Sequence, residues 1–219
     1  MEVLLEFKWL FARFAVFFGC LALAPYILSI LRGKTKPVYS TYIGWSLIGI
    51  TNLCYQFKNI TGEHKESLLL VATFATLPVL TLIAMWYAKV PLTWEKRDKI
   101  SYAGVGISLL AWIVTYGWED GWWVFVPLVT LALTDAFSSW PTFDECLHGR
   151  QNTSLDRISW SLTAVASLCG VVAVDAYWTL EMFIPTYLAF YMCSIALAAL
   201  LVRRQVAIIE CETDLQPAE

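Results

Sequence analysis

Pro25–Cys54 (PYILSILRGKTKPVYSTYIGWSLIGITNLC) and Pro141–Cys169 (PTFDECLHGRQNTSLDRISWSLTAVASLC) repeat one pattern. In each stretch a glycine follows the proline by eight residues, and a cation follows the glycine. In each, WSL is followed by five residues and then LC, and the distances from glycine to tryptophan are 12 and 11 residues. An ordered set at nearly constant spacing indicates internal duplication rather than chance matching.

The chain around these repeats is strongly apolar. Its 219 residues are 58% hydrophobic and 15% charged, with a mean hydropathy of +0.61, whereas a soluble domain is roughly a quarter charged. Long apolar runs without strand-like alternation indicate helices, and a bilayer-spanning helix needs about 20 residues. Seven such runs are found, at Phe11–Leu31, Ser40–Phe57, Ser67–Ala88, Ser101–Tyr116, Trp122–Cys146, Ile158–Val174 and Met182–Val202.

The repeats begin on helices 1 and 5, which run in the same direction through the bilayer. The two halves are therefore parallel, with helix 4 as the linker that restores orientation. The predicted fold class is an all-α integral membrane protein of seven transmembrane helices. Two triple-helix-bundle repeats are joined by a linker helix, with boundaries at 1–90, 91–120 and 121–205 and an acidic tail at 206–219.

The distribution of basic residues predicts the orientation, because cytoplasmic loops are enriched in Lys and Arg. With the N-terminus outside, eleven basic residues fall on the inner side and four on the outer side. The inner set is Arg32, Lys34, Lys36, Lys89, Lys96, Arg97, Lys99, Arg150, Arg157, Arg203 and Arg204, and the outer set is Lys8, Arg13, Lys58 and Lys65. The C-terminus is then cytoplasmic.

Charge and cysteine usage argue against several classes of function. The net charge of −3 and the pI near 5.4 give no footprint for nucleic acid. The six cysteines have no paired metal-ligand spacing, and the two histidines lie in predicted loops. We therefore expect no metal and no cofactor, with the cysteines acting mainly as small hydrophobic residues.

The repeated motif resembles the PQ-loop superfamily, which includes SWEET sugar transporters and cystinosin-like transporters. The resemblance rests on a proline near the inner end of the first helix, a short basic loop and a second helix with a tryptophan. The glutamine of the family's Pro-Gln pair is replaced by Tyr26 and Thr142. The resemblance implies transport of sugars, amino acids or related metabolites by a divergent member.

Helix 5 carries a polar stripe that helix 1 lacks. Asp135 is the only acid well inside an apolar run, and such a group normally faces a cavity, is paired or is protonated. The stripe comprises Asp135, Ser138, Ser139, Thr142 and Glu145, and its equivalent on helix 1 comprises Gly19, Ala22, Leu23, Tyr26 and Ser29. Asp135 is thus a candidate proton-coupling site and Ser138 and Thr142 are candidate substrate contacts. The alternative to a role in proton coupling is that Asp135 makes a structural hydrogen bond to a neighbouring helix.

Helices 2 and 6 supply the remaining candidates. Asn52 and Ser167 are repeat equivalents near mid-membrane that could bind a substrate, with Trp45 and Trp160 as flat apolar walls. Contacts between neighbouring helices are the alternative role, since small and polar residues often make them.

The prolines Pro25 and Pro141 are candidate hinges, because each removes a backbone hydrogen bond inside a helix. A static kink or a helix end is the alternative reading for both.

The leading hypothesis is a small-solute transporter that works by alternating access between the two bundles. A membrane receptor or a cargo-binding or assembly protein on the same scaffold is the alternative. An intramembrane enzyme is least favoured, because the apolar runs hold no catalytic cluster. Expected partners are a solute, a proton and the lipid bilayer, without nucleic acid; whether the chain forms a homo-oligomer stays open.

Overall fold

The fold is described from a computed structural model, which covers residues 2–59, 65–115, 125–148, 153–173 and 183–213. These residues form seven α-helices and no strand. The helices are α1 (Glu2–Leu31), α2 (Tyr39–Asn59), α3 (Lys65–Tyr87), α4 (Lys96–Thr115), α5 (Phe125–Leu147), α6 (Ser154–Val172) and α7 (Phe183–Thr213). The prediction of an all-helical chain with seven helices is confirmed.

The helix bounds differ from the predicted spans mainly at the chain ends. The first helix begins at Glu2, well before the predicted Phe11, and α7 continues to Thr213, beyond the predicted Val202. Polar residues at these ends are unfavourable in the bilayer core. They can still be helical, because extending an existing helix costs less free energy than starting a new one. Part of the predicted tail is therefore helical, and residues 214–219 lie outside the described ranges.

Two helical segments among the described residues are long and apolar enough to cross a membrane: Phe7–Leu31 and Ser154–Val172. Ala72–Tyr87 and Thr186–Val202 are apolar but shorter.

The helices pack in a restricted set of pairs. The first helix contacts α3 and α6, and α2 contacts α3, α5 and, more weakly, α4. The last helix contacts α5 and α6, and α4 packs mainly on α5. The centre of the molecule is therefore bounded by α1, α2, α3, α5, α6 and α7.

Small residues let α2 approach its neighbours closely. A Cβ on Gly49 would lie 2.6 Å from the Ala75 Cα of α3, and a Cβ on Gly44 would overlap the Ser138 hydroxyl of α5. Glycine at both positions therefore holds α2 between α3 and α5 at a distance that a larger residue would prevent.

The interior is small and hydroxyl-rich, while the surface is large and apolar. Most buried side chains are alanine, serine or threonine. The exposed set contains many large apolar residues, among them Trp86 at 78% and Phe190 at 74% exposure. This distribution is the reverse of that in a water-soluble protein, where large apolar side chains fill the core.

The loop after α1 is fixed by a glycine turn. Gly33 has φ +66°, in the left-handed region that glycine enters without steric cost. Its N–H donates to the Ile30 carbonyl at 2.9 Å, and the Lys34 N–H donates to the Ser29 carbonyl at 3.0 Å. This turn ends α1 and directs the following residues, including Thr35, back toward the helix bundle.

Candidate functional site

A central cavity of about 170 Å³ lies between the helices. An apolar cavity of about 150 Å³ can hold benzene, so this cavity has room for one small organic molecule. Side chains of α1, α2, α3, α5, α6 and α7 line it. The polar and aromatic members of the lining are Tyr26, Tyr42, Trp45, Asn52, Phe74, Thr81, Asp135, Ser159, Trp160, Thr163 and Tyr187.

Four of these residues, Tyr26, Tyr42, Trp45 and Trp160, form a closed circuit of ring contacts that we call the aromatic floor. The Tyr26 and Tyr42 centroids are 5.9 Å apart, and those of Tyr42 and Trp45 are 5.3 Å apart. The Trp45–Trp160 and Trp160–Tyr26 distances are 6.3 and 5.5 Å, both with tilted to perpendicular rings. Edge-to-face packing of this kind is favourable, so the circuit forms a rigid apolar base for the cavity.

Asp135 is the charged residue of the lining. It is 5% exposed, and its Oδ1 accepts a long hydrogen bond of 3.4 Å from the Ser139 hydroxyl. The Ser139 oxygen in turn accepts a 2.8 Å bond from the Trp45 indole N–H. The Asp135 Oδ2 has no hydrogen-bond partner. The buried carboxylate thus has one long hydrogen bond from Ser139, with Trp45 and Tyr187 also close to it, and its Oδ2 keeps acceptor capacity.

Two further buried polar groups of the lining lack a hydrogen bond of good geometry. They are the Trp160 indole N–H and the Tyr187 hydroxyl, which lies close enough to Asp135 to interact with its carboxylate. Unsatisfied buried polar groups are uncommon in proteins, and a ligand is one of the things that satisfies them.

The predicted site residues divide into two groups. Trp45, Asn52, Asp135 and Trp160 line the cavity together, although Asp135 and Asn52 come from different halves. Ser138, Thr142 and Ser167 are not among the lining residues: Ser138 donates to the Thr134 carbonyl, Thr142 to the Thr41 hydroxyl at 3.0 Å, and Ser167 to the Thr163 carbonyl.

The cavity extends further along α2 than along α6, which explains why Ser167 does not line it. On α2 the lining runs from Tyr42 to Asn52, whereas on α6 it ends at Thr163, one turn before Ser167. The candidate hinges Pro25 and Pro141 lie inside α1 and α5, and both helices continue through them.

A buried polar network lies about one turn beyond the cavity lining, since Ser29 follows Tyr26 on α1 and Asp156 precedes Ser159 on α6. We call it the Asp156 cluster, and it comprises Ser29, Thr35, Thr153 and Asp156. The Thr35 hydroxyl contacts both Asp156 carboxylate oxygens, at 2.5 and 2.6 Å, and shares a 2.5 Å hydrogen bond with Ser29. Ser29, Thr35 and Asp156 are each at most 1% exposed. The cluster joins the loop after α1 to the start of α6.

The same carboxylate caps α6. The Thr153 N–H donates to Asp156 Oδ2 at 3.1 Å, and the Asp156 N–H donates to the Thr153 hydroxyl at 3.2 Å. This reciprocal pair is a capping box, which satisfies backbone donors that the helix itself leaves unpaired.

A second network lies at the same end of the bundle, where α4 begins and α5 ends. Arg97 pairs with Asp144 at 2.9 Å and also contacts Glu145 and Glu95. Burial alone would lower the pKa of Arg97, but the hydrogen bond to Asp144 and the charge of Glu145 outweigh it and raise the pKa. Arg97 therefore stays charged and ties α4 to α5.

Sequence reasoning missed the Asp156 cluster and Tyr187. Thr153-Ser-Leu-Asp156 before an apolar run is a capping-box signal that marks the start of α6. That signal identifies the cap, whereas the contact with Thr35 depends on how α1 and α6 pack.

Within the described ranges, no group of three or more His, Cys, Asp or Glu side chains is placed to hold a metal ion. Comparisons of the chain with protein-family models, with curated proteins and with solved structures find no match.

Proposed function

We propose that the chain is a multi-pass membrane protein that carries a small solute across the bilayer by alternating access between two triple-helix bundles. We also propose that it is a divergent member of the PQ-loop superfamily. The observation that carries the proposal is the central cavity, which helices of both predicted repeats line. We assign the closure of its cytoplasmic end to the Asp156 cluster, which lies about one turn beyond the lining.

Placement in a membrane is supported by the reversed distribution of side chains. On α1 the exposed large residues Leu10, Phe14, Phe17 and Leu21 follow helical spacing, as a lipid-facing stripe does. Ala15 and Ala22 of the same helix are buried. Helices that associate in lipid place small and hydroxyl residues at their contacts, which matches this interior.

The two-repeat arrangement is supported by the packing pairs. If α1, α2 and α3 are exchanged with α5, α6 and α7, the contact of α1 with α6 becomes that of α5 with α2. The contacts of α3 with α1 and α2 become those of α7 with α5 and α6, and all of these contacts exist. Trp45 and Trp160, which the repeat makes equivalent, meet at the centre. A pseudo-two-fold axis along the membrane normal accounts for all of these relations.

In the proposed orientation the closed end is cytoplasmic. The Asp156 cluster lies near the C-terminal end of α1 and the N-terminal end of α6. The cavity lies about one to three turns closer to the N-terminal end of α1 than Ser29 does, where Gly19 and Leu23 line it. Transport then requires Thr35 to leave Asp156 while the opposite end closes, with Pro25 and Pro141 as the bending points. Proton uptake at Asp135 tunes the cycle, because it removes the charge that the cavity presents.

A solute-uptake screen in proteoliposomes, with and without a pH gradient, tests the proposal. Sugars, amino acids and small amines are supplied as labelled solutes, and protein-free liposomes provide the background. Saturable uptake of one class supports transport. Specific binding without uptake would instead support a receptor on the same scaffold.

A reversible cross-link tests the mechanism. Thr35→Cys with Asp156→Cys, in a chain whose six native cysteines are replaced by alanine, places two thiols where the cluster now bonds. Oxidation should stop uptake and reduction should restore it, while either single variant should be insensitive to oxidant. Undiminished uptake by the fully cross-linked protein would show that this end does not open during transport.

A further inference from the structure

We propose that the cavity binds a small organic cation, a protonated amine with an apolar or aromatic body. This inference rests on the proposed solute-carrying function and specifies its substrate class.

The charge of the cavity calls for a cation. Asp135 is the one charged residue in the described lining, and no Lys, Arg or His is among those residues. Its Oδ2 is unpaired, and its Oδ1 has a single 3.4 Å bond. A buried carboxylate this poorly paired is costly, and a cation that hydrogen-bonds to it offsets the cost.

The groups around Asp135 can donate hydrogen bonds to it but carry no positive charge. Tyr187 and Tyr191 face it from α7, and Trp45 approaches from α2. The described charged residues of α4 lie in the first turn of that helix, where Arg97 pairs with Asp144 and Glu145 at the far end of α5. Among the described residues that line the cavity beside this carboxylate, none is a Lys, Arg or His.

The walls suit the apolar part of such a ligand. The aromatic floor and Phe74 surround a space whose remaining lining is mainly aliphatic, with Leu77 and Leu131 as examples. Ring faces also attract ammonium groups that lie within about 6 Å of the centroid. An amine nitrogen at Asp135 with its carbon body over Trp45 and Trp160 would use both properties.

Sugars and free amino acids fit this lining less well. The hydroxyls of Thr81, Ser159 and Thr163 already donate to backbone carbonyls. The groups left to pair with a solute are few, which is insufficient for the many hydroxyls of a sugar. A ligand carboxylate would meet Asp135 without a basic residue to balance it.

A proton and an amine would compete for the same carboxylate. Alkylamines keep their charge across pH 5 to 8, because their pKa values resemble that of lysine, about 10.4. Loss of the Asp135 charge at lower pH should therefore weaken amine binding although the ligand itself is unchanged.

The test is isothermal titration calorimetry on the detergent-purified full chain. The probes are phenethylamine, its neutral analogue 2-phenylethanol and the anion phenylacetate. Wild type is compared with Asp135→Asn and with Glu95→Gln, which removes an exposed carboxylate outside the cavity. Wild type should bind phenethylamine at least about tenfold more tightly than either analogue, and Asp135→Asn should lose that preference. Glu95→Gln should bind as wild type does.

Three outcomes would overturn the inference: no phenethylamine binding, equal binding of 2-phenylethanol, or unchanged binding in a folded Asp135→Asn protein. The comparison of probes on wild type needs no variant, so it decides the matter even if Asp135→Asn fails to fold. Uptake in proteoliposomes separates the two proposals. Asp135-dependent amine binding without uptake refutes transport alone, whereas Asp135-independent sugar uptake refutes the cation site alone.

Discussion

Trp45 and Trp160 hold equivalent places in the two repeats, yet only one of them has a hydrogen-bond partner. The Trp45 indole donates to Ser139 at 2.8 Å, whereas the Trp160 indole is buried and unpaired. The difference comes from the facing helices, because the repeat position of Ser139 on α1 is occupied by Leu23. Asp135 likewise corresponds to Gly19.

The two interfaces between the halves differ in the same way. Where the end of α1 and its following loop meet α6, the Thr35 hydroxyl contacts the Asp156 carboxylate and Ser29 bonds to Thr35. Between α2 and α5, two hydroxyls meet, those of Thr41 and Thr142. Thr41 occupies the repeat position of Asp156, four residues before the tryptophan. At these equivalent sequence positions, α6 therefore carries a carboxylate where α2 carries a neutral hydroxyl.

The largest effect is expected when the charge of Asp135 on α5 is removed, because its equivalent on α1, Gly19, carries none. Asp135→Asn keeps the shape but removes the charge change, so pH-dependent uptake should disappear and the rate should fall by roughly tenfold or more. Uptake by proteoliposomes across external pH measures this, at equal protein content and with Glu95→Gln as control. Wild-type pH dependence in the asparagine variant would reduce Asp135 to a structural hydrogen-bond acceptor.

The second prediction compares the two interfaces. Thr35→Val removes a hydroxyl donor from a buried carboxylate and should lower the free energy of unfolding by about 1.5–3 kcal/mol. Thr142→Val breaks a bond between neutral groups and should cost about 0.5–1.5 kcal/mol. Unfolding by SDS in mixed micelles gives both values. Thr76→Val, at an exposed position of α3, controls for the substitution itself; equal losses at Thr35 and Thr142 would contradict the asymmetry.

Removing the partner of Trp45 should have a smaller effect. Ser139→Ala leaves the Trp45 indole unpaired, as Trp160 now is, at a cost of about 1 kcal/mol in the free energy of unfolding. A double-mutant cycle with Trp45→Phe measures the coupling directly. Additive losses in the double variant would mean that the 2.8 Å contact contributes no stability.

The smallest net effect is expected when α1 is made to resemble α5. Leu23→Ser offers a hydrogen-bond acceptor near Trp160 but removes partly buried apolar surface. The two effects oppose each other, so the free energy of unfolding should change by less than about 1 kcal/mol. The informative quantity is the coupling to Trp160→Phe, which should be near zero in wild type and appear in the serine background. No coupling in either background would place residue 23 out of reach of the indole.

Much of the helical layout could be predicted from the sequence, because long apolar runs and the repeat fix the number of helices. The repeat also selected Trp45, Asn52, Asp135 and Trp160, which the cavity brings together. The stripe on α5 was a poorer guide. Thr142 lies seven residues from Asp135, about 10 Å along the helix axis, and so falls beyond the aromatic floor.

The remaining features depend on packing that periodicity does not encode. Ser138 lies about 60° around α5 from Asp135, which turns it toward Gly44 of α2. Tyr187 joins the site because α7 packs on α5 and α6. Contacts of this kind require knowledge of which helices are neighbours, and a single sequence supplies only the faces that each helix can offer.

Asp156 both accepts a hydrogen bond from Thr35 and caps α6. This double role limits the free energy that a conformational change at that end can cost. If Thr35 withdraws, the carboxylate keeps its bond from the Thr153 N–H within α6 and is not left bare. The helix terminus also places positive partial charge beside it, worth a few tenths to 1 kcal/mol. The arrangement is therefore stabilised without becoming a kinetic trap, as the proposed alternating-access cycle requires.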